Sequence, residues 1–237
     1  MNKIQELIKD RTYTKGEVAA LAVGGACLSA LTYFWYLGGF HKPKVTVGQY
    51  PGTKHVFYKE IQCGIRGLGK QFHIVTSSFF RNAALNPEKK TCDLQFNWRL
   101  WGVYYDNPFS LVDPSQMRAV IALEVTDDLT SEMIQNILAQ DSSLKYSEPT
   151  PKCDCIRATF PYKSIFSYFI AARRTYPQIT EFASQHEEWK EASPILSVER
   201  YDKKEGNIEF FYALKGNSAE ALDSWMSISP PAVKDSN

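Results

Sequence analysis

Net charge is almost missing from this sequence. Its 27 Lys and Arg stand against 26 Asp and Glu, a formal charge of +1 over 237 residues. A surface that binds nucleic acid by neutralising phosphates needs a basic excess, so that class is excluded. With 13 Gly and 12 Pro the chain is neither collagen-like nor a Pro/Gly-rich polymer. Cysteine is scarce and odd in number: Cys27, Cys63, Cys92, Cys153 and Cys155. A secreted disulfide framework prefers an even set. Histidine is limited to His41, His55, His73 and His186. Cys153 and Cys155 share a strand face, but no second Cys-x-Cys and no His-x-x-x-His accompanies them, so buried thiols are preferred over a zinc pair. There is no Gly-x-Gly-x-x-Gly, P-loop or nucleophile elbow, and no cofactor is expected. The glycine-rich 64–69 (GIRGLG) reads as a turn before a helix. What remains is 44% hydrophobic and 14% aromatic, a composition that folds.

Charge is also missing locally. Residues 18–40 (VAALAVGGACLSALTYFWYLGGF) are 23 in a row without an ionisable acid or base of the Asp, Glu, Lys or Arg type. As a helix they reach ~34 Å, against ~30 Å for a bilayer core. Lys15 and Glu17 close one end, and His41, Lys42 and Lys44 the other. Tyr33, Phe34, Trp35, Tyr36 and Phe40 crowd the second end, where amphipathic rings sit at headgroup level. A cleaved signal peptide fits poorly, because the apolar run continues past the small residues at Ala26 and Ala30 into bulky aromatics. A core helix seldom runs so long without charge. A lipid bilayer is therefore the expected partner of 18–40. Flanking Lys and Arg are evenly matched and give no orientation. The odd cysteine count and the lack of any Asn-x-Ser/Thr acceptor after the run lean towards a domain facing the cytosol.

Five regions follow: a short N-terminal segment (1–17), the transmembrane helix (18–40), a juxtamembrane linker (41–54, with Pro43 and Pro51), a domain (55–215) and a flexible C-terminal tail (216–237). Within the domain, alternation predicts strands at 55–63, 100–105, 118–125, 153–160, 195–201 and 207–214. Helical spacing covers 67–80, 128–141 and 163–176. The last of these is expected to turn Ile165, Phe166, Phe169 and Ile170 inward, to end with Arg173 and Arg174 near its C-terminus, and to be interrupted by Pro177. Strand, helix, strand, strand occurs on either side of Pro149. A duplicated β-α-β-β unit is the simplest account, an α+β domain whose two halves share a cleft. Laying the halves together at a loose register puts Val103 where the second half has Glu199.

Two stretches carry more than periodicity. One is Val103-Tyr104-Tyr105-Asp106-Asn107-Pro108. The other is Ala158-Thr159-Phe160-Pro161-Tyr162, followed by Ala171-Ala172-Arg173-Arg174 and Pro177. Together with the preceding apolar run they resemble the testis-expressed protein 264 family, over about residues 55–215. The resemblance implies a GyrI-like domain, an antiparallel sheet with helices on one face, preceded by one transmembrane helix. It implies a non-enzymatic receptor or adaptor of selective autophagy in the endoplasmic reticulum membrane, with its domain in the cytosol. It also implies that a tail motif binds ubiquitin-like autophagosome proteins, and that a glutamate of the second repeat, matched here by Glu199, lies in a small-molecule cleft. The short tail of this sequence departs from the long one that such a receptor uses.

Two sets of side chains are candidate sites. Glu199 and Tyr201 lie two apart on one strand face, and with Tyr105 they make a carboxylate among aromatics, suited to a lipophilic cation or an aromatic ligand. The bland alternative is a solvated glutamate paired with Arg200 or Lys203. A hydrolase using Glu199 as base or nucleophile is a further reading, but no partner acid is evident. In the tail, Trp225-Met226-Ser227-Ile228 has an aromatic and an aliphatic three apart, the spacing by which an extended peptide fills two pockets at a sheet edge. The alternative is that Trp225 packs back on the domain.

Overall fold

In the computed structural model the described residues are 14–84, 98–107, 110–125, 129–190, 197–202 and 204–234. The start of the N-terminal segment and the first residues of the strand at 195–201 lie outside them.

Helix α1 (Lys15–Tyr36) begins at a capping box: Thr14 Oγ1 accepts from the Glu17 amide, and the Glu17 carboxylate accepts from the Thr14 amide. No residue of α1 is buried, and the helix is long and apolar enough to cross a membrane. Two of its hydroxyls are satisfied within the helix. The hydroxyls of Ser29 and Thr32 donate to the carbonyls of Gly25 and Leu28 at 2.9 and 2.8 Å, as a hydrocarbon environment demands. The helix stops at Tyr36, short of the expected end at 40. Gly38 adopts a left-handed φ of 87°, and Leu37, Gly38 and Gly39 are buried against the domain.

The segment expected to be a linker is instead strand β1 (Val45–Tyr50). It pairs antiparallel with β6 (Cys153–Pro161), from Val45 opposite Ala158 to Tyr50 opposite Cys153. Pro43 and Pro51 bracket the strand rather than interrupt it, which is where an edge strand tolerates them. The rest of the sheet comprises β2 (His55–Gln62), β3 (Trp98–Tyr104), β4 (Arg118–Val125), the short β5 (Lys145–Ser147), β7 (Ser197–Asp202) and β8 (Asn207–Tyr212). The order is β1-β6-β8-β7-β3-β4-β2-β5, and every pairing is antiparallel.

The duplication is plain in that order. With α2 (Ile65–Ala84) and α4 (Ile165–Ser184), the units β2-α2-β3-β4 and β6-α4-β7-β8 meet where β3 pairs with β7. This is the α+β arrangement that the GyrI-like resemblance implies. The cross-strand pairing of β3 with β7 fixes which side chains of the two units share a face. Gly102 pairs with Glu199, and Val103 pairs with Val198 on the opposite face. Because side chains alternate, a slip of one residue exchanges the two faces. Tyr104, two residues from Gly102, therefore shares the face of Glu199 and Tyr201.

Helices α2, α4 and α3 (Ser131–Gln140) cover one face, over cores built from Phe57, Ile121, Leu123, Phe160, Ile208 and Phe210. Helix α5 (Glu187–Lys190) follows α4 and adds Trp189 to that face. Two expectations for α4 are corrected. Among its described side chains the buried ones are Ser167, Ala171, Thr175 and Ile179, and Ile170 packs against the core as expected, whereas Phe166 and Phe169 are 56% and 52% exposed. The small stripe lets the helix approach the sheet closely, and this overrides the preference of the two rings for burial. Nor does Pro177 interrupt the helix, so Arg173 and Arg174 stand mid-helix. An interior proline costs about 3 kcal/mol, and the anchoring of Ala171 and Ile179 in the core on both sides of it offsets that.

The other face is covered by the C-terminal segment, expected to be a flexible tail. Helix α6 (Asn217–Asp223) and the turn after it place Leu222 and Trp225, 0% and 3% exposed, among Tyr58, Trp101, Tyr105 and Phe211.

Candidate functional site

The site forms where the two units meet. Glu199 sits on β7 beside the approximate twofold axis and is 1% exposed. Its cross-strand partner is Gly102, and a Cβ there would lie 2.7 Å from the Tyr104 hydroxyl. The missing side chain is what lets Tyr104, two residues along on the same face, bring its hydroxyl over that position. Tyr176 of α4 donates to Glu199 Oε1 at 2.5 Å, and Tyr201 donates to Oε2. Tyr104 joins the set through hydroxyl contacts with Tyr201 at 3.1 Å and with Tyr168 of α4 at 2.5 Å. Phe72 of α2 closes against the Tyr201 ring edge at 5.4 Å. Four hydroxyls thus converge on one buried carboxylate.

The electrostatics follow from that enclosure. Burial pushes the Glu199 carboxyl above its ordinary value, and the tyrosine hydroxyls that donate to it act the other way. Burial and the neighbouring carboxylate push the hydroxyls of Tyr104, Tyr168, Tyr176 and Tyr201 upwards, so they remain protonated donors. Among the described residues no lysine or arginine pairs with Glu199. Arg200, an expected partner, points to the other face. There it binds Glu209 and lies 5.6 Å from the Trp101 ring, while Arg157 binds the same Glu209. Lys203 lies outside the described residues. A negative charge at Glu199 is therefore met by dipoles alone, which leaves it suited to an incoming cation.

Of the expected ligand residues, Glu199 and Tyr201 are brought together and Tyr105 is not. Tyr105 faces the opposite side, and its hydroxyl donates to the Leu222 carbonyl. Tyr104, Tyr168 and Tyr176 escaped sequence reasoning. Tyr168 and Tyr176 lie eight residues apart on α4, a helical spacing, but the misplaced inward face hid it.

The expected partner-binding pair is pinned. The Trp225 ring stacks on Tyr58 at 5.1 Å and 15°, and its Nε1 donates to Ser147 Oγ at 2.9 Å. The Ser227 amide and hydroxyl both donate to Glu60 at 2.8 Å. The Ile228 carbonyl accepts from Arg118 Nη1 at 3.0 Å, and Arg118 is itself clamped by Asp106 of the YYDNP stretch, 2.7 Å away. Cys155 is buried, and that burial pushes its thiol up to about 12. No third His, Cys, Asp or Glu joins Cys153 and Cys155 among the described residues.

The fold and site define a duplicated β-α-β-β domain with a carboxylate–tyrosine cluster at its axis, carried behind an exposed apolar helix. No protein-family model matches the chain. The chain is similar to human Testis-expressed protein 264, with 31% identity over 98 residues, 40% of this chain and 31% of the relative. It is also similar to the mouse homolog of that protein, with 30% identity over 116 residues, 48% of this chain and 36% of the relative. The matched segments span about a third of the length of these curated relatives. Among solved structures, the EcmrR C-terminal domain has a TM-score of 0.49 at 10% identity, covering 73% of this chain and 98% of that one. An uncharacterized conserved protein from Listeria innocua has a TM-score of 0.48 at 13% identity, covering 73% and 92%. SAV2435, bound to tetraphenylphosphonium, has a TM-score of 0.41 at 8% identity, covering 73% and 94%.

Proposed function

We propose that this protein is a membrane-tethered, non-enzymatic receptor whose domain takes a small lipophilic cation, or a cationic aromatic ligand, at Glu199. The observation that carries this reading is the buried Glu199, ringed by Tyr104, Tyr168, Tyr176 and Tyr201 with no cationic partner among the described residues. Tyr168 and Tyr176 are only half-buried and form the outer wall, so they turn aside to admit the ligand. A cation then replaces hydroxyl dipoles with a full charge and stacks on the rings. Both Glu199 oxygens already accept hydroxyl donors, and among the described residues no second acid accompanies them, which favours binding over hydrolysis. Titration of the full chain in detergent with a panel of aryl phosphonium and quaternary ammonium ions tests this. Glu199→Gln is expected to weaken binding about tenfold or more, the loss of one charged contact. Equal affinity in both proteins refutes it, and ester turnover abolished by Glu199→Gln would instead favour a hydrolase.

The similarity to Testis-expressed protein 264 supports a cellular reading as well. The protein is a single-pass receptor or adaptor of selective autophagy, with α1 in the endoplasmic reticulum membrane and the domain in the cytosol. A glycosylation acceptor inserted after Lys234 is expected to stay unmodified, and its glycosylation refutes the cytosolic orientation. Ubiquitin-like autophagosome proteins would meet Trp225 and Ile228 only after the segment that holds them has left the sheet. Ile228→Ala leaves the core intact, so loss of capture by that variant supports the motif and equal capture refutes it.

A further inference from the structure

Among the described residues one helix face is left apolar and without cover, and that face lies beside the end of the membrane helix. Phe166 and Phe169 are more than half exposed, one turn apart on α4, with the exposed Lys163 before them and Arg173 one turn beyond. A sequence-level reading puts these two rings inside, and the buried stripe of Ser167, Ala171, Thr175 and Ile179 turns them out.

The position of α1 relative to this face is set by direct contacts. A Cβ on Gly38 would lie 2.9 Å from the Phe160 ring and 3.0 Å from Pro161. The His41 ring meets Phe160 edge-on at 5.2 Å, and Arg174 Nε donates to the His41 carbonyl at 3.2 Å. Phe160 and Pro161 end β6, and Tyr162 and Lys163 lead straight to Ser164, the N-cap of α4. The turn after Tyr36 is thus held at two points, one just before α4 begins and one at its tenth residue. Little slack separates span and domain. The aromatic end of the span shares this level: Trp35 is 66% and Phe40 59% exposed, and Phe40 meets Phe34 edge-on at 5.3 Å.

We propose that Phe166 and Phe169, flanked by Lys163 and Arg173, form a bilayer-docking surface that rests on the leaflet from which α1 emerges. The inference rests on α1 being a membrane span. The rings enter the boundary between headgroups and acyl chains, next to the aromatic belt of α1, and the two cations meet anionic headgroups. These rings flank the junction that ties α4 to the end of the span, and cations stand on either side of them, which is why lipid is the occupant. The domain lies against the membrane and does not swing on a tether. Phe169 also meets the Tyr168 ring edge-on at 5.6 Å, so the docked face adjoins the wall of the Glu199 cluster.

Photo-crosslinking of the full chain tests this in vesicles of phosphatidylcholine containing a quarter phosphatidylserine. Benzoylphenylalanine replaces Leu28, Phe169 or Val112 in turn, each an exposed position. Val112 belongs to the segment that leads into β4 and so lies beside the C-terminal end of β2. As β2 and β6 run in opposite directions, that is the end of the sheet away from Pro161. The expected result is lipid adducts at Leu28 and Phe169, with the yield at Phe169 about tenfold above that at Val112. Adducts at Leu28 but none at Phe169 overturn the docking surface and leave the span intact. Absence at both positions overturns the span as well. Adducts of Phe169 with a second copy of the chain overturn lipid as the occupant. Thermal melting of each variant confirms folding before the comparison.

Discussion

Replacing Trp225 by alanine tests whether the C-terminal segment belongs to the domain. The indole is 3% exposed, stacked on Tyr58, and hydrogen-bonded through Nε1 to Ser147. Truncating a buried tryptophan costs ~3–5 kcal/mol, because the space it leaves closes only partly. The Ser147 bond adds ~1 kcal/mol. For a domain of this size each kcal/mol moves the melting temperature by ~2–4 °C, so a fall of about 8–24 °C is expected. Trp225→Phe keeps an aromatic on Tyr58 and loses the indole N–H, so its fall is about 3–5 °C. Near-ultraviolet circular dichroism of the full chain in detergent micelles follows both variants. Melting of Trp225→Ala within ~2 °C of the parent refutes the packing and returns Trp225 to a free tail. Deleting 217–237 is expected to destabilise the domain for the same reason, because it strips Leu222 and Trp225 from the core.

The Glu199 carboxyl is raised in the folded state from an ordinary value near 4.5, so its contribution is fully present below that value and is lost as pH rises through the folded value. Glu199→Gln removes this loss, and chemical denaturation is expected to show the variant gaining on the parent from about pH 4 upwards; parallel pH curves refute it. Gly102→Ala drives a Cβ to 2.7 Å from the Tyr104 hydroxyl, so it is expected to cost about 1–3 kcal/mol and to weaken cation binding, read by denaturation and titration together. Gly52→Ala meets a harder obstacle, because Gly52 has a φ of 72° and a Cβ there would lie 2.5 Å from the Thr150 carbonyl oxygen. Gly52 lies in the turn joining β1 to β2, the contact is to backbone of the segment joining β5 to β6, and a loss above about 2 kcal/mol is expected by denaturant titration.

Some of this protein is written locally, and that part was legible. The uncharged run from 18 onwards needs no neighbour to declare itself, because length and the lack of charge are properties of one segment. Strand β4 is legible from RAVIALEV, and the duplication from the order of elements. Glu199 and Tyr201 share a face because strands alternate, whatever lies opposite.

The rest depends on partners distant in sequence. β1 exists because β6 offers it an edge, although its own residues sit between two prolines. The pairing of Gly102 with Glu199, 97 residues apart, decides that Tyr104 and not Tyr105 joins the cluster. Nothing within either strand sets that parity. Trp225 was open between tail and core until Tyr58 and Ser147 were placed beside it. On α4 the apolar residues go most of the way around, so periodicity alone does not select the buried face. Close packing of Ser167, Ala171 and Thr175 on the sheet selects it. The sequence by itself thus determined a membrane-length helix and a doubled α+β domain with Glu199 and Tyr201 on one strand face. Tertiary structure alone decided which tyrosines enclose Glu199, where Trp225 packs and which phenylalanines face outwards, because each of these turns on contacts between distant segments.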